Sequence, residues 1–166
     1  MNIHTTAIIS NRAKIHESVK IGPFCIIESD VFIDKNTVIH PNVHIYSGTK
    51  IGQSNVIHNG AVLGNVPQDL KFDNEKSSLI IGDGNTIREY CTLNRGTESS
   101  ETTIIGNNCL LMAYVHVAHD CIVEDKVILA NGVQLAGHSH IAYHAIIGGM
   151  SGVHQFCKVG AHAFVG

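Results

Sequence analysis

Residues 3–21 read Ile3-His4-Thr5-Thr6-Ala7-Ile8-Ile9-Ser10-Asn11-Arg12-Ala13-Lys14-Ile15-His16-Glu17-Ser18-Val19-Lys20-Ile21, with an isoleucine at every sixth position. The step continues through Ile27, Ile33, Ile39, Ile45, Ile51 and Ile57 to Leu63. It returns at Ile81, Ile87 and Leu93, and again from Ile105 and Leu111 to Val159 and Val165. An aliphatic register this long is an internal repeat, and its period is six. The residue two before each anchor is usually small, as at Ala7, Ala13, Val19, Cys25, Val31 and Ala61. Positions two apart share one face of a strand, so each hexad is a short strand with one large and one small side chain turned inward. Gly or Asn often follows the anchor (Ile21-Gly22, Ile51-Gly52, Ile105-Gly106, Ile147-Gly148), which predicts tight corners at those residues.

A helix is excluded, because a period of six does not stay on one face of a 3.6-residue helix and β-branched residues dominate. Three hexads make an 18-residue coil with three flat walls. Stacked coils pair in parallel and enclose a continuous aliphatic column. The chain is thus predicted to be all-β, a parallel β-helix forming a single domain over residues 1–166. Cys25, Cys91, Cys109, Cys121 and Cys157 all fall two before an anchor, so they read as small buried hydrophobes, and no CxxC suggests a disulfide or metal knot.

Composition limits the function. Of 166 residues, 44% are hydrophobic, which excludes a disordered chain. A net charge of −3 without a basic block argues against nucleic-acid binding. No apolar run approaches a membrane span and no signal peptide is visible, so a cytoplasmic protein without membrane insertion is expected. No cofactor motif is present.

Two polar stretches leave the register, at about residues 65–78 and 94–103. Loops held on a rigid scaffold favour binding. The chain also stops in mid-register at Val165-Gly166, which predicts a fragment or a covered end.

Coils of 18 place the anchors Val117, Leu135 and Val153 one above another. They are followed by Ala118-His119-Asp120, Ala136-Gly137-His138 and His154-Gln155, and His116 precedes the first. Three histidines are therefore expected at a shared edge. A neutral imidazole suits general-base work. The Gly137 N–H suits an oxyanion. No Ser or Cys sits in a nucleophile motif, which favours direct attack by a bound hydroxyl over a covalent intermediate. Adjacent strand residues point to opposite faces, so Asp120 can meet His119 only where the wall bends. Three histidines can equally hold zinc, and a β-helix can also be scaffold alone.

Five segments in order extend the reading: Gln68-Asp69-Leu70-Lys71-Phe72; Ile87-Arg88-Glu89 with Asn94-Arg95-Gly96-Thr97; His116-Val117-Ala118-His119-Asp120-Cys121; Ile128-Leu129-Ala130-Asn131 with Leu135-Ala136-Gly137-His138; and Ile146-Ile147-Gly148-Gly149-Met150 with Val153-His154-Gln155-Phe156. Over its whole length the chain resembles the acyl-carrier-protein–UDP-N-acetylglucosamine O-acyltransferases of lipid A biosynthesis. The resemblance implies a left-handed winding and a homotrimer with each site between subunits. It also implies a longer protein whose helical cap is absent from this chain. His119 would deprotonate the sugar 3-hydroxyl, which would attack the thioester of a hydroxyacyl chain on acyl carrier protein. Asp120 would orient His119, and Gly137 would hold the oxyanion. Gln68, Asp69, Lys71, Asn94, His116, His138, His154 and Gln155 would contact the UDP-N-acetylglucosamine or the acyl group. The family commonly carries a histidine where this chain has Asn94, so acceptor preference is expected to turn there, between a hydroxyl- and an amino-sugar. The competing reading is a zinc enzyme similar to the γ-class carbonic anhydrases.

Overall fold

The computed structural model describes residues 2–166 and contains no helix among them. Its strands, mostly two residues long, form three parallel sheets of nine, eight and eight. Successive hexads fall on successive walls. Ile3 pairs with Ile21 on the first wall, Ile9 with Ile27 on the second and Ile15 with Ile33 on the third, so one lap takes 18 residues. A strand that short cannot hold its own backbone bonds. Each is satisfied by the coils above and below it, as in Ile8 N–H to Cys25 O (2.8 Å) and Ser10 N–H to Ile27 O (2.9 Å).

The anchors form the core. Ile33, Ile45, Ile51, Ile57, Leu63, Ile87 and Leu93 are wholly buried, with Val19, Cys25, Ala61 and Cys91 as their small partners. The expected burial fails at Cys157, which is exposed because no coil of the described residues covers it.

The corners also differ from expectation. The left-handed backbone falls three residues after the anchor and mostly on non-glycine residues, including Phe24, Asp30, Asn36, Asp120, His138 and Phe156. The glycines directly after anchors serve close approach instead. A Cβ on Gly52 would lie 2.8 Å from the Gly82 carbonyl oxygen, and one on Gly106 2.8 Å from the Asp125 nitrogen.

The small inward position hides a polar ladder that hydrophobic patterning could not show. Thr37, Asn55 and Asn85 are completely buried. Asn55 Oδ1 accepts from the Asn85 N–H (2.9 Å), and Asn85 Oδ1 from the Cys109 N–H (2.8 Å). The Nδ2 groups of Asn55 and Asn85 donate to the Gly82 and Gly106 carbonyls, both at 2.9 Å. Replacing Asn85 with Leu keeps the volume but orphans a buried N–H and a buried C=O, each costing about 1–3 kcal/mol. Asn85→Leu is expected to lower the denaturant midpoint clearly. An unchanged midpoint would show that the ladder is dispensable.

Both excursions leave between the second and third walls in consecutive coils. One follows the strand Val62–Asn65 and rejoins at Ser78–Ile81; the other follows Thr92–Asn94 and rejoins at Thr102–Ile105. They therefore crown one corner of the prism, directly beneath the coil that carries His119.

Candidate active site

On the second wall the strands His116–Val117, Gln134–Leu135 and Gly152–Val153 stack in register. Each chain then turns toward the third wall, and the turn residues stack in three columns. Ala118, Ala136 and His154 form the first, linked by the Ala118 N–H to Leu135 O and the Ala136 N–H to Val153 O, both at 3.0 Å. His119, Gly137 and Gln155 form the second. Asp120, His138 and Phe156 form the third, all with φ near +60°. The three histidines thus occupy three different columns. His119 and His138 meet edge to face at 5.2 Å. His154 stands apart on the outer face of the wall, exposed, with its Nδ1 3.2 Å from the Gln155 carbonyl. All three histidines lie at the turn between the second and third walls, and the contact there is between His119 and His138.

The bend that the sequence required between His119 and Asp120 is present. Asp120 has φ +58°, and this left-handed turn swings two neighbouring side chains together. His119 Nδ1 lies 2.7 Å from Asp120 Oδ2, and both residues are buried. The carboxylate has further partners in the loop below. It accepts from the Thr97 N–H (2.9 Å), the Thr97 hydroxyl (2.6 Å) and the Ser100 hydroxyl, while the Asp120 N–H donates to Thr103 Oγ1 (2.8 Å). Burial opposes the charge, but the Ser100, Thr97 and His119 donors outweigh it and hold the carboxyl down at about 2. An ionised carboxylate only accepts. The Nδ1 of His119 therefore donates to it, and in the neutral ring Nε2 is the nitrogen with the lone pair.

Two groups lie beside the Nε2 side of the ring. Asp69 Oδ2, carried in by the first loop, is 4.0 Å from Nε2. Gly137 lies against the ring on the coil above: a Cβ there would be 2.6 Å from Cε1 and 2.7 Å from Nε2 of His119. The Gly137 N–H meets no acceptor among the described residues. Gly137→Ala must displace the imidazole by several tenths of an ångström. Such a shift is expected to cut any activity of this site by about 10²-fold with the fold intact, measured as turnover beside a circular dichroism spectrum. Full turnover in the variant would mean that the ring position does not matter.

His138 Nε2 is 3.6 Å from Asp120 Oδ2, and its ring stacks on Phe156 at 4.6 Å. His116 faces out from the wall, with its Nδ1 2.8 Å from Thr92 Oγ1. Burial pushes its pKa down and favours the neutral ring. His116 and His154 close the two ends of an open groove of about 420 Å³, floored by Ala118, Ala136 and Gly152. Gln68 and Lys71 flank Asp69 on the exposed loop, and Gln155 is exposed beside His154. Asn94 is buried and ties the loop roots together: its Nδ2 donates to the Val66 carbonyl at 3.1 Å, while its Oδ1 has no partner.

Sequence reasoning missed Thr97, Ser100 and Thr103. Thr97 ends one of the segments that carry the resemblance, but the hydroxyl-rich run Thr97-Glu98-Ser99-Ser100 reads as an ordinary solvated loop. A metal is the other chemistry the cluster invites, since donor atoms of His119, Asp120 and His138 lie within 4.8 Å of one another. The Asp120 carboxylate already accepts four hydrogen bonds, and a metal would have to displace them.

Known proteins share this fold. A family described as bacterial transferase hexapeptide (six repeats) matches residues 30–65 and 102–137. The acyl-[acyl-carrier-protein]–UDP-N-acetylglucosamine O-acyltransferase of Verminephrobacter eiseniae is 46% identical over 166 residues, covering 99% of this chain and 63% of the relative. The chain thus spans less than two thirds of the length of the curated relatives it matches. The crystal structure of UDP-N-acetylglucosamine O-acyltransferase from Moraxella catarrhalis superposes with a TM-score of 0.94 at 47% identity, covering 99% of this chain and 67% of that one. The Francisella novicida UDP-N-acetylglucosamine acyltransferase superposes at 0.96 with 44% identity, covering 98% and 59%. These neighbours are left-handed β-helices, which fixes the winding here. The zinc reading is not favoured by any of them. The chain belongs to the hexapeptide-repeat family of UDP-N-acetylglucosamine O-acyltransferases.

Proposed function

We propose that this chain carries the catalytic β-helix of an enzyme that moves a hydroxyacyl group from acyl carrier protein to the 3-hydroxyl of UDP-N-acetylglucosamine, the first step of lipid A biosynthesis. The observation that carries the reading is the buried His119–Asp120 pair, with Nε2 near Asp69 and the Gly137 backbone packed against the ring. A sugar hydroxyl placed between Nε2 and Asp69 gives its proton to His119 as its oxygen attacks the thioester carbonyl. Asp120 holds the imidazolium that forms. The Gly137 N–H stabilises the oxyanion. Collapse of the tetrahedral intermediate breaks the carbon–sulfur bond, and His119 returns the proton to the departing thiolate. The groove between His116 and His154 gives the acyl chain an apolar floor, with Gln68, Lys71, His138 and Gln155 around the acceptor.

Asn94 bears on acceptor choice. Its unpartnered Oδ1 is an acceptor only, so an amine at the sugar 3-position would satisfy it as well as a hydroxyl would. The outer face of the first wall supports a homotrimer: Val38 and Val56, then beyond Thr86 the row Leu110, Ile128, Ile146 and Phe164, make it largely apolar. Such a face is normally covered. The buried free thiols of Cys25, Cys91, Cys109 and Cys121 suit a reducing cytoplasm.

The test is an acyl-transfer assay on the complete protein, with hydroxyacyl carrier protein as donor and hydroxyl- and amino-sugar nucleotides as separate acceptors. Transfer to either acceptor supports the reading and decides between them. Transfer to neither, with folded protein and active donor, overturns it.

A further inference from the structure

A second cavity lies beneath the loops, away from His119. Its volume is about 840 Å³, larger than the groove beside the catalytic pair. The floor comes from the lower coils at Gly48 and Lys50, and the roof from the two excursions at Lys76, Ser77 and Arg95. Gly48 lets the loop come down onto the coil. Its φ is +83°, and a Cβ there would sit 2.8 Å from the Ser77 carbonyl oxygen.

Two buried donors in this lining are unused. Ser77 is only 8% exposed, and its hydroxyl has no partner. Arg95 Nε is buried without an acceptor, although the guanidinium lies over the Phe72 ring at 5.5 Å and Nη1 reaches the Ser47 carbonyl only at 3.5 Å. Buried donors are normally satisfied, and these two border a cavity with room for an acceptor.

The charges agree. Arg12 at the rim is spent on Asp30, at 2.9 Å. Glu75 accepts from the backbone N–H groups of Asp73 (2.8 Å) and Glu98 (3.1 Å) and stays charged near Arg95. Lys50 and Lys76 form no ion pair among the described residues, and neither does Arg95. Across the whole lining four cations, Arg12, Lys50, Lys76 and Arg95, face three carboxylates, Asp30, Glu75 and Glu101, which leaves one net positive charge.

The same loop serves both sites. Thr97 and Ser100 hold Asp120, while Arg95, Glu101 and Thr102 line the cavity. The loop is also fixed to the other excursion through the Gly96 N–H to Ser78 O (3.1 Å) and Ser78 Oγ to Thr102 Oγ1 (2.9 Å).

We propose that this cavity binds a phosphate-bearing small molecule through Lys50, Lys76, Ser77 and Arg95, and that its occupancy steadies residues 95–101 and so the hydroxyls that hold Asp120. The site is distinct from the acyl-transfer centre, and its binding test involves no acyl transfer. Phosphate presents several acceptor oxygens to a planar guanidinium and to two flexible ammonium groups, which is what the lining lacks.

Inorganic pyrophosphate is the probe, titrated calorimetrically into the chain at constant ionic strength set with chloride. Saturable binding is expected, weakened about tenfold or more in a Lys50→Ala/Lys76→Ala double variant and measurably in Ser77→Ala. Both lysines are exposed, so the double variant keeps the fold. Hydrogen exchange at the Thr97 amide is expected to slow when pyrophosphate is bound. Absence of saturable binding, or equal affinity in the double variant, overturns the site. Binding that leaves exchange at Thr97 unchanged overturns its link to Asp120.

Discussion

His119→Ala is expected to lower the turnover of the complete enzyme by about 10²–10⁴-fold, the usual weight of a general base. The side chain removed pairs with Asp120 on one ring nitrogen and lies near Asp69 on the other, with Gly137 against the ring. Binding of the sugar nucleotide should change far less than turnover, because Asp69, Lys71 and the groove stay in place. The alanine also leaves Asp120 with its loop donors, so the corner keeps its shape. Steady-state kinetics with a folded-state check decides the matter. A rate within a few-fold of the parent would remove His119 from the proton transfer and leave the corner as architecture.

Asp120→Asn should be nearly as costly, for a different reason. The amide is neutral and presents an N–H₂ to at least one of the donors now aimed at the carboxylate. His119 Nδ1 loses its acceptor and the imidazolium its counter-charge, so turnover is expected to fall by about 10²–10⁴-fold. The stability of the variant has its own signature. In the folded chain the Asp120 carboxyl is lowered from an ordinary value of 3.8 to about 2. A depressed carboxylate pKa stabilises the fold above the unfolded value, and that contribution is lost as pH falls through the folded one. The parent should therefore be more stable than Asp120→Asn near neutrality. The gap should close between about pH 4 and about pH 2, read from denaturant midpoints across that range. A gap that stays constant with pH would mean that the carboxylate is not held ionised by its neighbours.

The repeat was legible because each hexad makes the same local choice. An aliphatic anchor such as Ile27 or Leu135, with a small inward partner such as Cys25 or Val133, has one way to bury its face, and that way recurs. Several buried inward positions broke the pattern, Thr49, Thr103 and Ser139 among them. Thr37, Asn55 and Asn85 carry polar groups inward, which is affordable only because the carbonyls and N–H groups of the next coil meet them. No pattern of hydrophobicity records that pairing. The corner glycines were misread for a related reason. Gly52 and Gly106 respond to the backbone of the coil above, at a distance a linear reading does not contain.

The candidate site was legible in part. His119, Asp120 and Gly137 stand out because a lap of 18 brings their segments together, and the resemblance singled out the same residues. What the period could not give was the column each residue takes. A turn between walls moves the side chain from one column to the next with each residue, so His138 reaches Asp120 while His154 faces the open groove.

The sequence alone set the period, the walls and the buried column, because a hexad repeat is a local rule applied many times. Only the tertiary structure decided that both excursions spring from one corner, and that Thr97 and Ser100 reach back to hold Asp120 in its charged form. Those contacts join segments about twenty residues apart through hydrogen bonds that depend on position in space. Residue type and spacing carry no trace of them.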